Sequence, residues 1–134
     1  MSPSPEQIEY AELLLDGAEG RVHVCRVLKD HTEIGDSIVG FHAHAAVEKA
    51  LRVALVLTDV ELPLTHDLDF LVQLVREAGV DLPTSLSETG WLTTWAAEFR
   101  YDELAALDRA AALTAAENAT GWAASLLTDS SGDG

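Results

Sequence analysis

Pro3, Pro5, Pro63 and Pro83 are the only prolines in the chain, and each stands where a helix would begin or end. A proline inside a helix deletes a backbone hydrogen bond and clashes with the preceding turn. The long segments between these four are therefore open to helix. Ala and Leu dominate them, with few β-branched runs beyond a handful of valines, and both residues favour helix. The expected fold class is all-α.

At 134 residues the chain suits one domain with a real core. The expectation is a single domain over 1–134, its core spanning about 6–127. Ser4-Pro5-Glu6-Gln7 reads as a helix start, with Ser as N-cap, Pro at the first helical position and Gln three residues on. Apolar residues then recur at helical spacing through Ile8, Ala11, Leu14, Leu15, Ala18, Val22, Cys25 and Leu28. Asp30 to Asp36 reads as a connection and Asp36 to Thr58 as a second helix. Thr65 is placed to cap a third, whose first turn carries Asp67 and Asp69, with Gly79 as its stop. Pro83 to Gly90 reads as a polar connection with room for one helical turn. Trp91 to Phe99 reads as a short helix, Asp102 to Leu127 as a long one, and 128–134 as a frayed tail. Short connections between four or five helices imply an antiparallel up-and-down bundle.

Eight basic residues stand against 23 acidic ones, a formal charge of −15. Holding nucleic acid by general phosphate neutralisation needs the opposite balance, so any such contact must be a small local site. A single cysteine, Cys25, rules out an intramolecular disulfide framework and fits a reducing compartment. With no signal-peptide pattern and no apolar run of membrane-spanning length, the expected setting is the cytoplasm.

The stretch Phe-His-Ala-His-Ala-Ala-Val-Glu-Lys-Ala-Leu, Phe41 to Leu51, sets polar groups into an apolar helix. At about 100° per residue, His42 and Lys49 fall within about 20° of each other and share a stripe. His44 points about 160° away from His42, so the two cannot clamp a metal from one helix, and no metal site is expected. Glu48 and Arg52, four apart with the acid first, suit a modest surface pair. His42 and Lys49 are either site residues or a hydrogen-bonded histidine and a snorkelling lysine. Cys25 on an apolar face reads as an inert core thiol. Trp91, Trp95 and Phe99, at spacing of four, read as core.

Thr65-His66-Asp67 combines a helix start with an imidazole beside a carboxylate, which is either a site or ordinary capping. Arg100-Tyr101-Asp102 lies at a helix junction, where a guanidinium can hold a phosphate or a carboxylate bidentately, or simply tie the junction.

Taken in order, these stretches resemble the HEPN domain (higher eukaryotes and prokaryotes nucleotide-binding). Phe41, His42, Ala43, Ala46, Glu48, Lys49, Ala50 and Leu51 match its Phe-His-Ala-x-x-Ala-x-Glu-Lys-Ala-Leu signature. Thr65-His66-Asp67-Leu68 resembles its next helix start, and Arg100-Tyr101 the Arg-Tyr before its last helix. The resemblance covers about residues 6 to 127. It implies a helical bundle, usually a homodimer, in a family of metal-independent ribonucleases, toxins paired with minimal nucleotidyltransferase antitoxins, and nucleotide- or RNA-binding modules. The family's ribonucleases carry Arg-x(4–6)-His on a later helix. Here Arg100 and Arg109 have no histidine after them, and only Arg26 with His31 fits the spacing, at the end of the first helix.

The resemblance thus implies a homodimeric nucleotide- or RNA-binding module, acting with a nucleotidyltransferase or antitoxin partner in a stress, toxin–antitoxin or defence system. The alternative it leaves open is a metal-independent ribonuclease toxin with a non-standard site. His42 and Arg100 are the catalytic candidates, and Lys49, His66, Asp67 and Tyr101 the ligand-binding ones. No cofactor is expected.

Overall fold

A computed structural model describes residues 2–96 and 106–132 of the chain. In order come α1 (Pro5–Leu28), α2 (Asp36–Leu57), α3 (Leu68–Glu77), α4 (Thr84–Ser87), a 3₁₀ helix (Thr89–Trp95) and α5 (Arg109–Gly132). No strand occurs among the described residues, in line with the all-α expectation.

The start of α1 is built as the local sequence dictates. Ser4 Oγ accepts from the Gln7 N–H at 3.1 Å, and Gln7 Oε1 accepts from the Ser4 N–H at 2.7 Å. Two backbone donors that no helical carbonyl can reach are thereby satisfied. Gln7 then donates from Nε2 to Asp59 Oδ1 at 2.8 Å, tying the first turn of α1 to the end of α2.

Further contacts fix the sense of the pair. Gly17 lies against the Lys49 stem, Arg21 meets His42, and Cys25 Sγ donates to the Val39 carbonyl at 3.6 Å. Rising numbers on α1 meet falling numbers on α2, so the two helices are antiparallel. α5 also runs against α1, since Arg26 near the end of α1 pairs with Glu117, and Arg109 at the start of α5 reaches the Leu28 carbonyl.

α2 is the central element and touches α1, α3, the 3₁₀ helix and α5. Its second half, Val53 to Leu57, is buried on every side, as expected of a helix that is apolar all round. Leu51 and Leu55 are fully buried there, and truncating either to Ala would cost about 2–5 kcal/mol. Gly40 lets the Trp95 ring lie on the α2 backbone, where an added Cβ would come within 2.7 Å of Trp95 Cδ2.

Three local expectations are corrected. Thr65 does not cap α3; Asp67 does, accepting from the Asp69 N–H at 3.0 Å, while Thr65 Oγ1 accepts from the Asp67 N–H within the preceding turn. Trp95 is buried but Trp91 is 43% exposed, because this segment is a 3₁₀ helix. With three residues per turn, positions four apart no longer share a face. Phe99 lies outside the described residues. Finally, α5 runs on to Gly132 instead of fraying after Leu127, with Leu127 itself buried.

The start of α2 is held by a buried-edge network. Asp36 accepts from Arg109 Nε at 2.9 Å and from the Leu107 N–H at 3.0 Å. Burial pushes the Asp36 carboxyl pKa up, but these two donors and the guanidinium charge outweigh it, leaving it below its usual value. Arg109 also donates to the carbonyls of Leu28, His31 and Ile34, so one guanidinium closes the α1–α2 connection.

Candidate functional site

After α2 the chain runs back along that helix as an extended segment before α3 begins. An extended strand with no sheet partner leaves its carbonyls needing donors, and α2 supplies them. Arg52 donates from Nη1 to the Pro63 carbonyl at 3.0 Å and from Nη2 to the Thr65 carbonyl at 2.6 Å. His44 Nε2 donates to the His66 carbonyl at 2.7 Å. Three carbonyls of the segment are thus held by two side chains of one helix.

Glu48 sits between these two residues. Its Oε2 accepts from Arg52 Nε at 3.0 Å and its Oε1 accepts from His66 Nδ1 at 2.8 Å. The Glu48–Arg52 pair, expected at the surface, is instead nearly buried, with side chains 14% and 12% exposed. His44 is buried, its Nδ1 3.8 Å from Glu48 Oε1 and so beyond a hydrogen bond. Burial is the first cause that lowers its pKa. A proton on Nε2, which the His66 carbonyl requires, is the matching neutral tautomer.

Between α1 and this segment lies a cleft of about 410 Å³, lined by Tyr10, Leu14, Glu48, Lys49, Arg52 and residues 62–66. Lys49 crosses α1 at Gly17, its Cδ 3.3 Å from where a glycine Cβ would stand. Among the described residues its ammonium has no ion-pair or hydrogen-bond partner. Arg52, by contrast, spends its guanidinium on Glu48 and two carbonyls.

His66 is mostly exposed at the cleft. With Nδ1 donating to Glu48, its Nε2 is the nitrogen left to accept a proton. A carboxylate behind an imidazole is the arrangement that orients a general base. The other half of the α2 stripe lies one turn of α1 further on. Arg21 Nη1 donates to His42 Nδ1 at 3.0 Å; because a guanidinium can only donate, the His42 ring proton belongs on Nε2. Arg21 also lies over the Phe41 ring, 5.5 Å from its centroid.

The structure thus brings Lys49 and His66 into one cleft and places His42 beside Arg21. Asp67 serves as the cap of α3, the bland reading of its motif. Arg100 and Tyr101 lie outside the described residues. Arg26 and His31 are each engaged with a separate acid, Glu117 and Glu33. Cys25 is buried, and burial pushes its thiol up to about 11, where it is unreactive at neutral pH. Among the described residues no group of three His, Cys, Asp or Glu is placed to hold a metal ion.

Sequence reasoning missed the roles of His44, Arg52 and Tyr10. A signal for the first two exists: His44, Glu48 and Arg52 follow at spacing of four, a continuous ladder on one helix face. Nothing in the local sequence brings Tyr10 to the cleft.

A family model described as the HEPN domain matches residues 11–125. The chain belongs to the HEPN domain family. Comparison with curated proteins and with solved structures gave no match. The HEPN match runs from within α1 through most of α5, so it includes every side chain of the cleft except Tyr10. No helix among the described residues is long and apolar enough to cross a membrane.

Proposed function

We propose that this HEPN chain is a nucleotide- or RNA-binding module that works as a homodimer, taking the phosphate-bearing end of its ligand at the Lys49–His66 cleft. The observation that carries the reading is Lys49, a cation without a partner among the described residues, at the rim of a cleft in a chain of charge −15. An ammonium is a compact point charge suited to phosphate. His66 adds a donor or acceptor, and Tyr10 and Leu64 offer apolar surface for a base or sugar. The acidic remainder of the surface confines polyanion binding to this place. A nucleotidyltransferase-type partner would act on a ligand held there.

Equilibrium binding of ATP and of a short oligoribonucleotide, compared between the wild type and Lys49→Gln, tests this. The expected result is a loss of affinity of about tenfold or more for the variant, corresponding to about 1.4 kcal/mol. Equal affinities would remove Lys49 and the cleft from the reading.

One arrangement favours a second reading, a metal-independent ribonuclease. The Glu48–His66 pair has the form of an oriented general base, and Arg21 with His42 brings an arginine and a histidine together in space where no late sequence motif does. Incubating an RNA pool in EDTA with the wild type, His66→Ala and His42→Ala separates the two. Cleavage lost in either variant establishes the enzyme; absence of cleavage by the wild type leaves the binding module.

A further inference from the structure

Arg21 is a second cation that the described residues hold without neutralising. Its guanidinium donates from Nη1 to His42 Nδ1 at 3.0 Å and lies over the Phe41 ring, 5.5 Å from the centroid. An imidazole that accepts at Nδ1 is uncharged, and a ring face takes up no N–H donor. Arg26, Arg52 and Arg109 each meet a carboxylate. Among the described residues no carboxylate lies within ion-pair distance of Arg21 or Lys49. Half-buried and held against Phe41, the guanidinium is fixed in advance of any ligand, and it keeps N–H donors that no described residue accepts from.

The two cations flank one turn of α1. Lys49 Nζ stands 3.8 Å from where a Gly17 Cβ would be, and Arg21 follows four residues on, about 6 Å along the helix axis. Consecutive phosphates of one extended sugar–phosphate strand cover such a span. The phosphates of a free nucleotide are joined through single oxygens and lie closer together. Charge on either side limits the footprint. Before Gly17, α1 carries Glu6, Glu9, Glu12 and Asp16 and no base; beyond Arg21, Arg26 is already paired with Glu117. Between those limits the α1–α2 seam offers a polyanion two un-neutralised cations.

We propose that the ligand of the cleft is a strand of RNA and not a free nucleotide, with one phosphate on Lys49 and the next on Arg21. The inference rests on the reading of the Lys49–His66 cleft as a phosphate site and adds a second subsite one helical turn away. Lys49 meets the first phosphate as a point charge, and Arg21 meets the next through its N–H fork. His42 and Phe41 act as positioning residues, aiming the guanidinium while leaving its charge intact.

Calorimetric titration with AMP, with the 5′-phosphorylated diadenylate pApA and with ATP tests this on the wild type, Arg21→Gln and Lys49→Gln. The wild type is expected to bind pApA about tenfold or more tighter than AMP. Arg21→Gln should erase that advantage, bringing pApA to the affinity of AMP, whereas Lys49→Gln should weaken both. A salt series on the wild type needs no variant. The logarithm of its pApA association constant should fall against the logarithm of salt concentration with a slope of about −1.4 for two phosphate contacts, where a single contact gives about −0.7. If pApA binds no tighter than AMP, if its slope is that of a single contact, or if Arg21→Gln weakens AMP as much as pApA, the second subsite is overturned; the cleft reading then stands as long as Lys49→Gln weakens AMP. ATP that binds as tightly as pApA, with equal dependence on Arg21, overturns the assignment of the ligand as a strand. A wild type that binds none of the three, or a Lys49→Gln variant that binds all of them as the wild type does, overturns the cleft reading and the inference together.

Discussion

Arg52 and Lys49 stand three residues apart on α2, and the two cations live in different surroundings. Arg52 is nearly buried and gives its guanidinium to Glu48 and to the carbonyls of Pro63 and Thr65. Lys49 has its stem against Gly17 and its ammonium at the cleft, without a partner among the described residues. The described fold ties down the first charge and leaves the second facing the cleft. A residue whose polar group the fold does not need is the better candidate for a ligand, and that difference separates the structural half of the α2 ladder from its functional half.

The sharpest way to break the comparison is to remove the structural cation. Arg52→Ala leaves the Glu48 carboxylate nearly buried and two carbonyls without donors, and should cost about 3 kcal/mol in urea denaturation. A loss below about 0.5 kcal/mol, the range of an ordinary surface change, would erase the distinction. Glu48→Gln keeps the shape but removes the charge that both Arg52 and His66 donate to. Its expected cost is about 2 kcal/mol, checked by the same unfolding experiment.

Acid reads the ladder through His44. Burial lowers its pKa in the folded protein, so on acidification the unfolded chain takes up the proton first. Its contribution is therefore fully present above the ordinary histidine value of about 6.5 and is lost as pH falls through the lowered one, at up to about 1.4 kcal/mol per pH unit. His44→Gln, which keeps a donor for the His66 carbonyl, should show a flatter stability profile than the wild type as pH falls below about 6.5. Parallel profiles would mean the buried imidazole does not hold the segment. Asp36 adds a lower window: its pKa is depressed, so its contribution is present above about pH 3.9 and fades below. The smallest effect on stability is expected at the functional cation, where Lys49→Gln should stay within about 0.5 kcal/mol of the wild type.

Much of this bundle is legible in the sequence, because its signals are local. Ser4, Pro5 and Gln7 announce α1 through a cap whose partners lie within three residues. Gly79 ends the segment after α3 with a φ of 82°, a conformation that glycine adopts without penalty. The errors arise where a distant group decides. Whether Thr65 or Asp67 caps α3 turns on Arg52, which holds the Thr65 carbonyl in the extended segment and moves the helix start onward. The exposure of Trp91 follows from a tightened helix that periodicity at 3.6 residues per turn does not see. The same holds for the cleft. Lys49 and His42 share a stripe by spacing alone, whereas the contact of Glu48 with His66 and the approach of Tyr10 need the chain folded.

The account's central claim is that ligand phosphate meets Lys49, the cleft cation with no partner among the described residues. The most direct measurement is an amide chemical-shift titration of the ¹⁵N-labelled protein with a short oligoribonucleotide. Shifts concentrated at Tyr10, Lys49, Leu62 and residues 64–66, and abolished in Lys49→Gln, are the predicted result. Shifts centred elsewhere, or unchanged in the variant, would contradict it.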